Sequence, residues 1–348
     1  YLREAGYYCS NNSKEDYNFQ DSTIWNESSK KAHWRNRPEE KPFVFWFGST
    51  DPHRVYETNT GIQTGMKLDL VNVPGFLPDL SCVRNDILDY YYEVERFDRE
   101  CGQLLRLLEE SGELDNTIIV MTSDNGMPFP RAKANLYDYG TRMPLAIRWP
   151  EKISSGQTIT EFVNFIDLAP TFTEAAGLPP GNQMSGQSLW PLFEGVQQDR
   201  EQVFLERERH ANVRKGDLSY PSRAIRTHDF LFIWNPMPER YPAGDSTVHQ
   251  SVGQWGDVDN SITKFLIMGM KNTSPNNALD YYGLSFDKRP EMELYDVRND
   301  PYQLSNLAND PAYNEVQEML KERLHKWMKA TDDRRQKDPR STYWDELK

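Results

Sequence analysis

The chain has 348 residues, enough for one large domain and a smaller companion with ample core. Its 53 acidic residues outnumber 40 Lys and Arg, and the formal charge of −13 argues against nucleic acid as a partner while allowing a locally basic cleft. No apolar run approaches the length of a membrane span.

Residues 1–8, Y-L-R-E-A-G-Y-Y, read as the end of a helix with Gly6 as its C-cap. From Ser22 to Lys41 the chain is polar, a surface excursion. Pro42 to Gly48 is a continuous apolar run and predicts a buried strand, followed by Asp51-Pro52-His53-Arg54. Residues 55–80, rich in Gly, Pro and Asn, read as a loop. Ile87, Tyr91, Val94, Phe97, Cys101, Leu104 and Leu108 recur at three- and four-residue steps. They predict one long helix from about Arg84 to Ser111, stopped by Gly112. Thr117 to Met121 is a β-branched and apolar strand, and Met143 to Trp149 a second one. Strand, long helix and strand in that order predict a βαβ unit and a parallel sheet. A shorter helix is expected around Asp167 to Ala176, ended by Gly177 and Pro179.

After Gly195 the character changes. Short strands are expected at Val203–Glu206, Arg223–Thr227, Phe230–Trp234 and Glu293–Asp296, with a polar stretch from Pro236 to Leu284 and an amphipathic helix from about Tyr313 to Lys329. The expected fold class is α/β. A mostly parallel central sheet flanked by helices occupies residues 1–200, and a smaller C-terminal α+β domain, an antiparallel sheet plus helix, occupies 201–348.

The densest chemical signal lies in residues 117–150. Asp124 and Asn125 arrive at the carboxyl end of a strand, where open α/β sheets place their ligands. A carboxylate beside an amide oxygen suits a hard cation, Ca²⁺ ahead of Mg²⁺. Lys133 follows on a Pro-punctuated loop as a point charge able to grip an anion, so metal and lysine together suggest a site for a small tetrahedral oxyanion. Taken alone, Asp-Asn-Gly is usually a turn, and a lone loop histidine such as His53 is usually an ordinary surface residue. Cys9, Cys82 and Cys101 have no metal-type spacing; one disulfide is open but unassigned. Sequons at Asn11, Asn26 and Asn272 carry little weight alone.

The longer pattern changes this balance. T-S-D-N-G, then K-x-N-L-Y-D, then G-T-R-x-P-L-x-I-R-W-P, resembles the sulfatase family of the alkaline phosphatase superfamily. D-N-G-x-P-F-P, N-L-Y and D-P-H-R are most similar to its heparan N-sulfatase branch. The resemblance implies hydrolysis of N- or O-sulfate from sulfated carbohydrates such as heparan-type glycans, using calcium and a formylglycine. It implies that Lys14 and Lys133 hold sulfate oxygens, that His53 serves the leaving group, and that Asp124 and Asn125 bind the metal. Arg54 would either anchor its loop or contact the sugar, and Arg209 and His210 would lie at the sugar-binding rim. Lys14 falls on the Lys of the family's G-K-x-H element, but the His position holds Asp16, a departure that removes one donor.

Family members make the formylglycine from a Cys or Ser in a C/S-x-P-S-R element, which none of the three cysteines fits. Ser219 to Arg223, S-Y-P-S-R, matches the Ser form but follows every other motif and adjoins a strand of the small domain. It is therefore read as a decoy. The nucleophile and the remaining metal ligands are expected upstream of Tyr1, and this chain alone is expected to be inactive. By the same resemblance the location is periplasmic, extracellular or lysosomal, with a homodimer left open. Two other readings stay open: a phosphatase or phosphodiesterase of the same superfamily, and a catalytically inactive glycan-binding protein.

Overall fold

Residues 1–12, 14, 23–250, 253–272 and 279–347 are described by a computed structural model. Asp16 lies outside the described residues. The first six residues form hydrogen-bonded turns rather than a helix, closed by Gly6 at φ 98°. Three strands follow: β1 (Tyr8–Asn11), β2 (Glu27–Ser28) and β3 (Phe43–Trp46), paired in parallel in the order β2-β1-β3. Tyr8 stands opposite Phe43 and Asn11 opposite Trp46, so β1 and β3 end together.

A short helix α1 (Thr60–Gln63) leads to α2 (Ser81–Glu110), the 30-residue helix expected from the apolar repeat. Its buried face differs from that repeat. Tyr91 and Val94 are exposed, whereas Asp86, Asp89 and Glu93 are buried beside Val83, Ile87 and Leu88. These acids recur at three- and four-residue spacing and form a polar seam. Asp89 accepts the backbone N–H groups of Asn59 (2.9 Å) and Gly61 (3.0 Å), fixing the start of α1. The seam compensates backbone donors that apolar residues would leave unpaired.

β4 (Ile119–Thr122), α3 (Asp138–Thr141) and β5 (Leu145–Arg148) come next, with β4 and β5 antiparallel. Among the described residues β3 and β4 stand in separate sheets, so strand–helix–strand order here does not produce adjacent parallel partners. Sequential strands are neighbours only about two-thirds of the time. α4 (Leu168–Ala175) and α5 (Trp190–Phe193) complete this part, α5 packing its buried Leu192 and Phe193 near Ile147 of β5.

β6 (Gln202–Arg207), β7 (Ser222–Thr227) and β8 (Phe230–Trp234) begin an antiparallel sheet. Two helices, α6 (Ile262–Gly269) and α7 (Tyr281–Phe286), occupy a stretch read from sequence as polar loop. Each is short, and the apolar residues of α6 sit among polar flanks that mask its periodicity; its one local start signal is Ser261, whose hydroxyl accepts the N–H of Lys264. β9 (Met292–Asp296) closes the sheet in the order β6-β7-β8-β9, and α8 (Asn314–Ala330) covers it.

Alternation along these strands decides what meets each face. Ile225, Phe232, Trp234 and Leu294 pack on Leu320, Leu324 and Met328 of α8. Ala224, Leu231, Ile233 and Tyr295 turn the other way, onto Leu136 and Tyr137 just after Lys133. The loop carrying Lys133 is thereby seated on the small sheet. All three cysteines are free, so the disulfide left open by the sequence is not formed. Among the described residues no helix is long and apolar enough to cross a membrane.

Leu324 is fully buried under the sheet. Leu324→Ala should destabilise the fold by about 2–5 kcal/mol in denaturant titration, while truncation of the exposed Met319 on the same helix should cost little.

Candidate functional site

The carboxyl ends of β3 and β4 position the first two groups. Gly48, just past β3, has no Cβ, and one placed there would lie 2.8 Å from Cβ of Lys14. The glycine lets Lys14 cross the strand end closely, and its Nζ comes to 3.8 Å from Asp124 Oδ2. Gly126 is constrained more tightly still: an added Cβ would meet the Tyr139 carbonyl oxygen at 1.9 Å. Its N–H donates to the Gly140 carbonyl at 3.2 Å, pressing the Asp124-Asn125-Gly126 turn against α3. Thus the turn residue type and the ligand residue types serve one structure.

Between Gly126 and Lys133 the loop folds back, the Lys133 N–H donating to the Met127 carbonyl at 3.2 Å. Arg131 anchors it from below. Its guanidinium stacks 3.9 Å over the Tyr137 ring and donates to the carbonyls of Leu284 and Gln303. Lys133 itself is only 11 % exposed at its side chain, and its Nζ lies 3.0 Å from Asp259 Oδ2.

His53 lies exposed on the loop after β3. Its Nδ1 is 2.5 Å from the Arg54 carbonyl, which can only accept, so Nδ1 carries the proton and Nε2 remains for a ligand. The Arg54 side chain turns inward. Its Nη1 and Nη2 donate to the two oxygens of Asp86 at 2.7 and 3.1 Å, and Nε donates to the Pro128 carbonyl at 3.0 Å. Both side chains of the pair are about 5 % exposed. Of the two readings of Arg54, these contacts are those of a loop anchor: Arg54 ties the His53 loop to α2 and to the loop between Asn125 and Lys133.

Asp124 and Asn125 offer two hard oxygen donors on adjacent residues, which fits a cation of the calcium type. They are only part of a coordination shell of about six to eight oxygens. Among the described residues no group of three or more His, Cys, Asp or Glu could hold a metal.

The sulfatase family model matches residues 3–178, half of the chain. The chain belongs to the sulfatase family. A second model, the C-terminal region of N-sulphoglucosamine sulphohydrolase, matches residues 131–235. An ulvan-active sulfatase of Formosa agariphila is 31% identical over 376 aligned residues, covering 96% of this chain and 59% of that protein. Human N-sulphoglucosamine sulphohydrolase is 29% identical over 330 residues, covering 85% and 62%. The chain thus spans about three-fifths of the length of these curated relatives. A solved structure in complex with its substrate D-glucosamine-2-N,6-O-disulfate superposes with a TM-score of 0.67 at 20% identity, covering 97% of this chain and 82% of that one, which shows a shared fold.

Within this sulfatase-family fold the other sequence candidates have structural partners. Arg209 donates to the carbonyls of Trp344 and Leu347, tying down the C-terminal segment. His210 is partly exposed, and its Nδ1 lies 3.0 Å from Asp257 Oδ1. Ser219 is fully buried: its N–H donates to Asp345, and its hydroxyl lies 3.1 Å from Arg240 Nη1. Sequence reasoning missed Asp86, Asp257 and Asp259: Asp86 lies off the apolar repeat by which α2 is read, and Asp257 and Asp259 lie in a polar stretch whose one local mark is the helix cap at Ser261.

Asp257 is the electrostatic hub of the His210 region. Burial pushes its carboxyl up, but Arg207, the His210 hydrogen bond and Arg214 outweigh that and hold it at about 2, below the ordinary 3.8. A depressed carboxylate stabilises the fold above its ordinary range, and that contribution disappears as pH falls through the folded value. Asp257→Asn should therefore be less stable than wild type at neutral pH. The stability gap should narrow between about pH 4 and pH 2 in denaturant titrations, whereas a constant gap would assign the effect to packing.

Proposed function

We propose that this sulfatase-family protein hydrolyses sulfate groups from sulfated carbohydrates, with N-sulfoglucosamine at a non-reducing end as the first candidate. The observation that carries the reading is the approach of Lys14 to Asp124 at one strand end, with Lys133 on the loop that leaves the same turn. The match to the C-terminal region of N-sulphoglucosamine sulphohydrolase supports the N-sulfate choice. A location outside the cytosol, in the periplasm, the lysosome or the extracellular space, accords with such substrates.

The nucleophile in this reading would be a formylglycine, which would supply the oxygen that attacks sulfur. Asp124 and Asn125 would hold part of the shell of a calcium ion, which would supply positive charge at the sulfate. This chain's own residues do the rest. Lys14 and Lys133 stabilise negative charge on the non-bridging sulfate oxygens, a fixed electrostatic contribution that needs no reorganisation. His53, with Nδ1 held by a backbone carbonyl, can carry a second proton only on Nε2 and delivers it from there to the departing amine or alcohol. Arg54 acts as a positioning residue, and His210 lies at the rim of the sugar site.

The test uses full-length protein and matched disaccharides carrying a single N-, 2-O- or 6-O-sulfate. Sulfate should be released fastest from the N-sulfated one; release from an O-sulfated disaccharide alone would move the substrate assignment. Lys133→Ala should raise the barrier by about 2.7–4 kcal/mol with little change in stability. Asp124→Ala should abolish binding of about one calcium per chain by elemental analysis. Stoichiometric calcium retained by that variant would remove Asp124 from the metal site.

A further inference from the structure

We propose that Asp259 is the specificity-determining residue that reads the sugar bearing the sulfate. In this assignment, which rests on the sulfatase reading above, its carboxylate accepts a hydrogen bond from a hydroxyl or amine of the sugar next to the sulfated position. The ligand class is a sulfated amino sugar or other sulfated glycan with a donor on a neighbouring ring atom.

The starting observation is a carboxylate where an anion should bind: Asp259 Oδ2 lies 3.0 Å from Lys133 Nζ, with side chains 24 % and 11 % exposed. An ion pair so enclosed must offset the cost of taking both charges out of water, so it is weak evidence of a stabilising role. Yet the loop presenting Asp259 is fixed on every side. Two residues before it, Asp257 is held by Arg207, His210 and Arg214. The nearly buried Lys264 donates to the Val258 carbonyl at 2.7 Å and to Asn260 Oδ1 at 3.0 Å, closing the turn around Asp259. Thr263 Oγ1 donates to Asp86 Oδ2 at 2.6 Å, the same carboxylate that holds Arg54. The Asp259 charge also reaches Tyr56, beside Arg54 on the His53 loop, where it adds to burial in raising the phenol.

A carboxylate so placed cannot bind sulfate, because two anions repel. It can bind the donors around the sulfate. The Lys133 ammonium has three N–H groups, enough to hold Asp259 and a sulfate oxygen together. Asp259 Oδ2 faces Lys133, and Oδ1 supplies further acceptor lone pairs. Sharing one lysine fixes the distance between the sulfate and a neighbouring sugar donor, which selects the ring position that carries the sulfate. An aryl sulfate has no such donor.

The experiment compares full-length wild type with Asp259→Asn, nearly isosteric, and Asp259→Ser as a second variant should the first fold poorly. The kcat/KM for an N-sulfated disaccharide, divided by that for 4-nitrophenyl sulfate, should fall about 10- to 100-fold, the size of one hydrogen bond to a charged group. Calorimetric binding of the desulfated disaccharide should weaken by a similar factor, while binding of inorganic sulfate holds or tightens. An unchanged ratio overturns the proposal. So does an equal loss on both substrates with weakened sulfate binding, which would mean that Asp259 acts only through Lys133. If wild type cleaves neither substrate, the sulfatase reading itself fails, and the two binding measurements still decide the role of Asp259.

Discussion

The ion pair between Arg54 and Asp86 holds the site together. Three separate segments meet on it: the loop of His53, the loop from Asp124 to Lys133 through the Pro128 carbonyl, and the start of α6 through Thr263. Taking two charges out of water is costly, and a buried pair is tolerated only when geometry and extra hydrogen bonds are complete. Here they are. Arg54 uses its fork on both Asp86 oxygens, and its guanidinium lies over the rings of Tyr56 and Phe129 at 4.3 and 4.6 Å. Lysine could not replace it, since a point charge cannot bridge two carboxylate oxygens and a carbonyl at once.

This arrangement shows how an acidic protein can set cations together in one place. The formal charge of −13 describes the whole surface, whereas Lys14 and Lys133 are set at one strand end and its following loop. Each faces a carboxylate, Asp124 or Asp259. The two pairs differ in kind. Lys14 and Asp124 are well exposed, so their attraction is screened and readily exchanged for a cation and an anion. Lys133 and Asp259 are largely enclosed, and their contact is better suited to a shared, lasting geometry.

Much of this was legible from residues alone. β8 falls on the expected Phe230–Trp234, because both faces of that strand are buried and aliphatic or aromatic side chains fill them. Asp124 and Asn125 stand just past β4, as strand periodicity followed by a turn residue requires. Ser219, the first residue of the S-Y-P-S-R match, is fully buried. What escaped was polar burial. Reading a helix face by its apolar repeat assigns Tyr91 and Val94 to the core and overlooks Asp86 and Asp89, because a seam that satisfies loop backbones looks like a solvent face in sequence. The partnership of Lys133 with Asp259 spans 126 residues and has no local signature. Arg54 could be read from sequence as an anchor or a sugar contact, and its pairing with Asp86 is visible only in the fold.

The most direct measurement is a crystal structure of the full-length protein grown with calcium and soaked with inorganic sulfate. The account predicts a cation ligated by Asp124 and Asn125, with a tetrahedral anion within hydrogen-bond reach of Lys14 and Lys133 Nζ. A cation bound elsewhere, or an anion that leaves both lysines uncontacted, would contradict it.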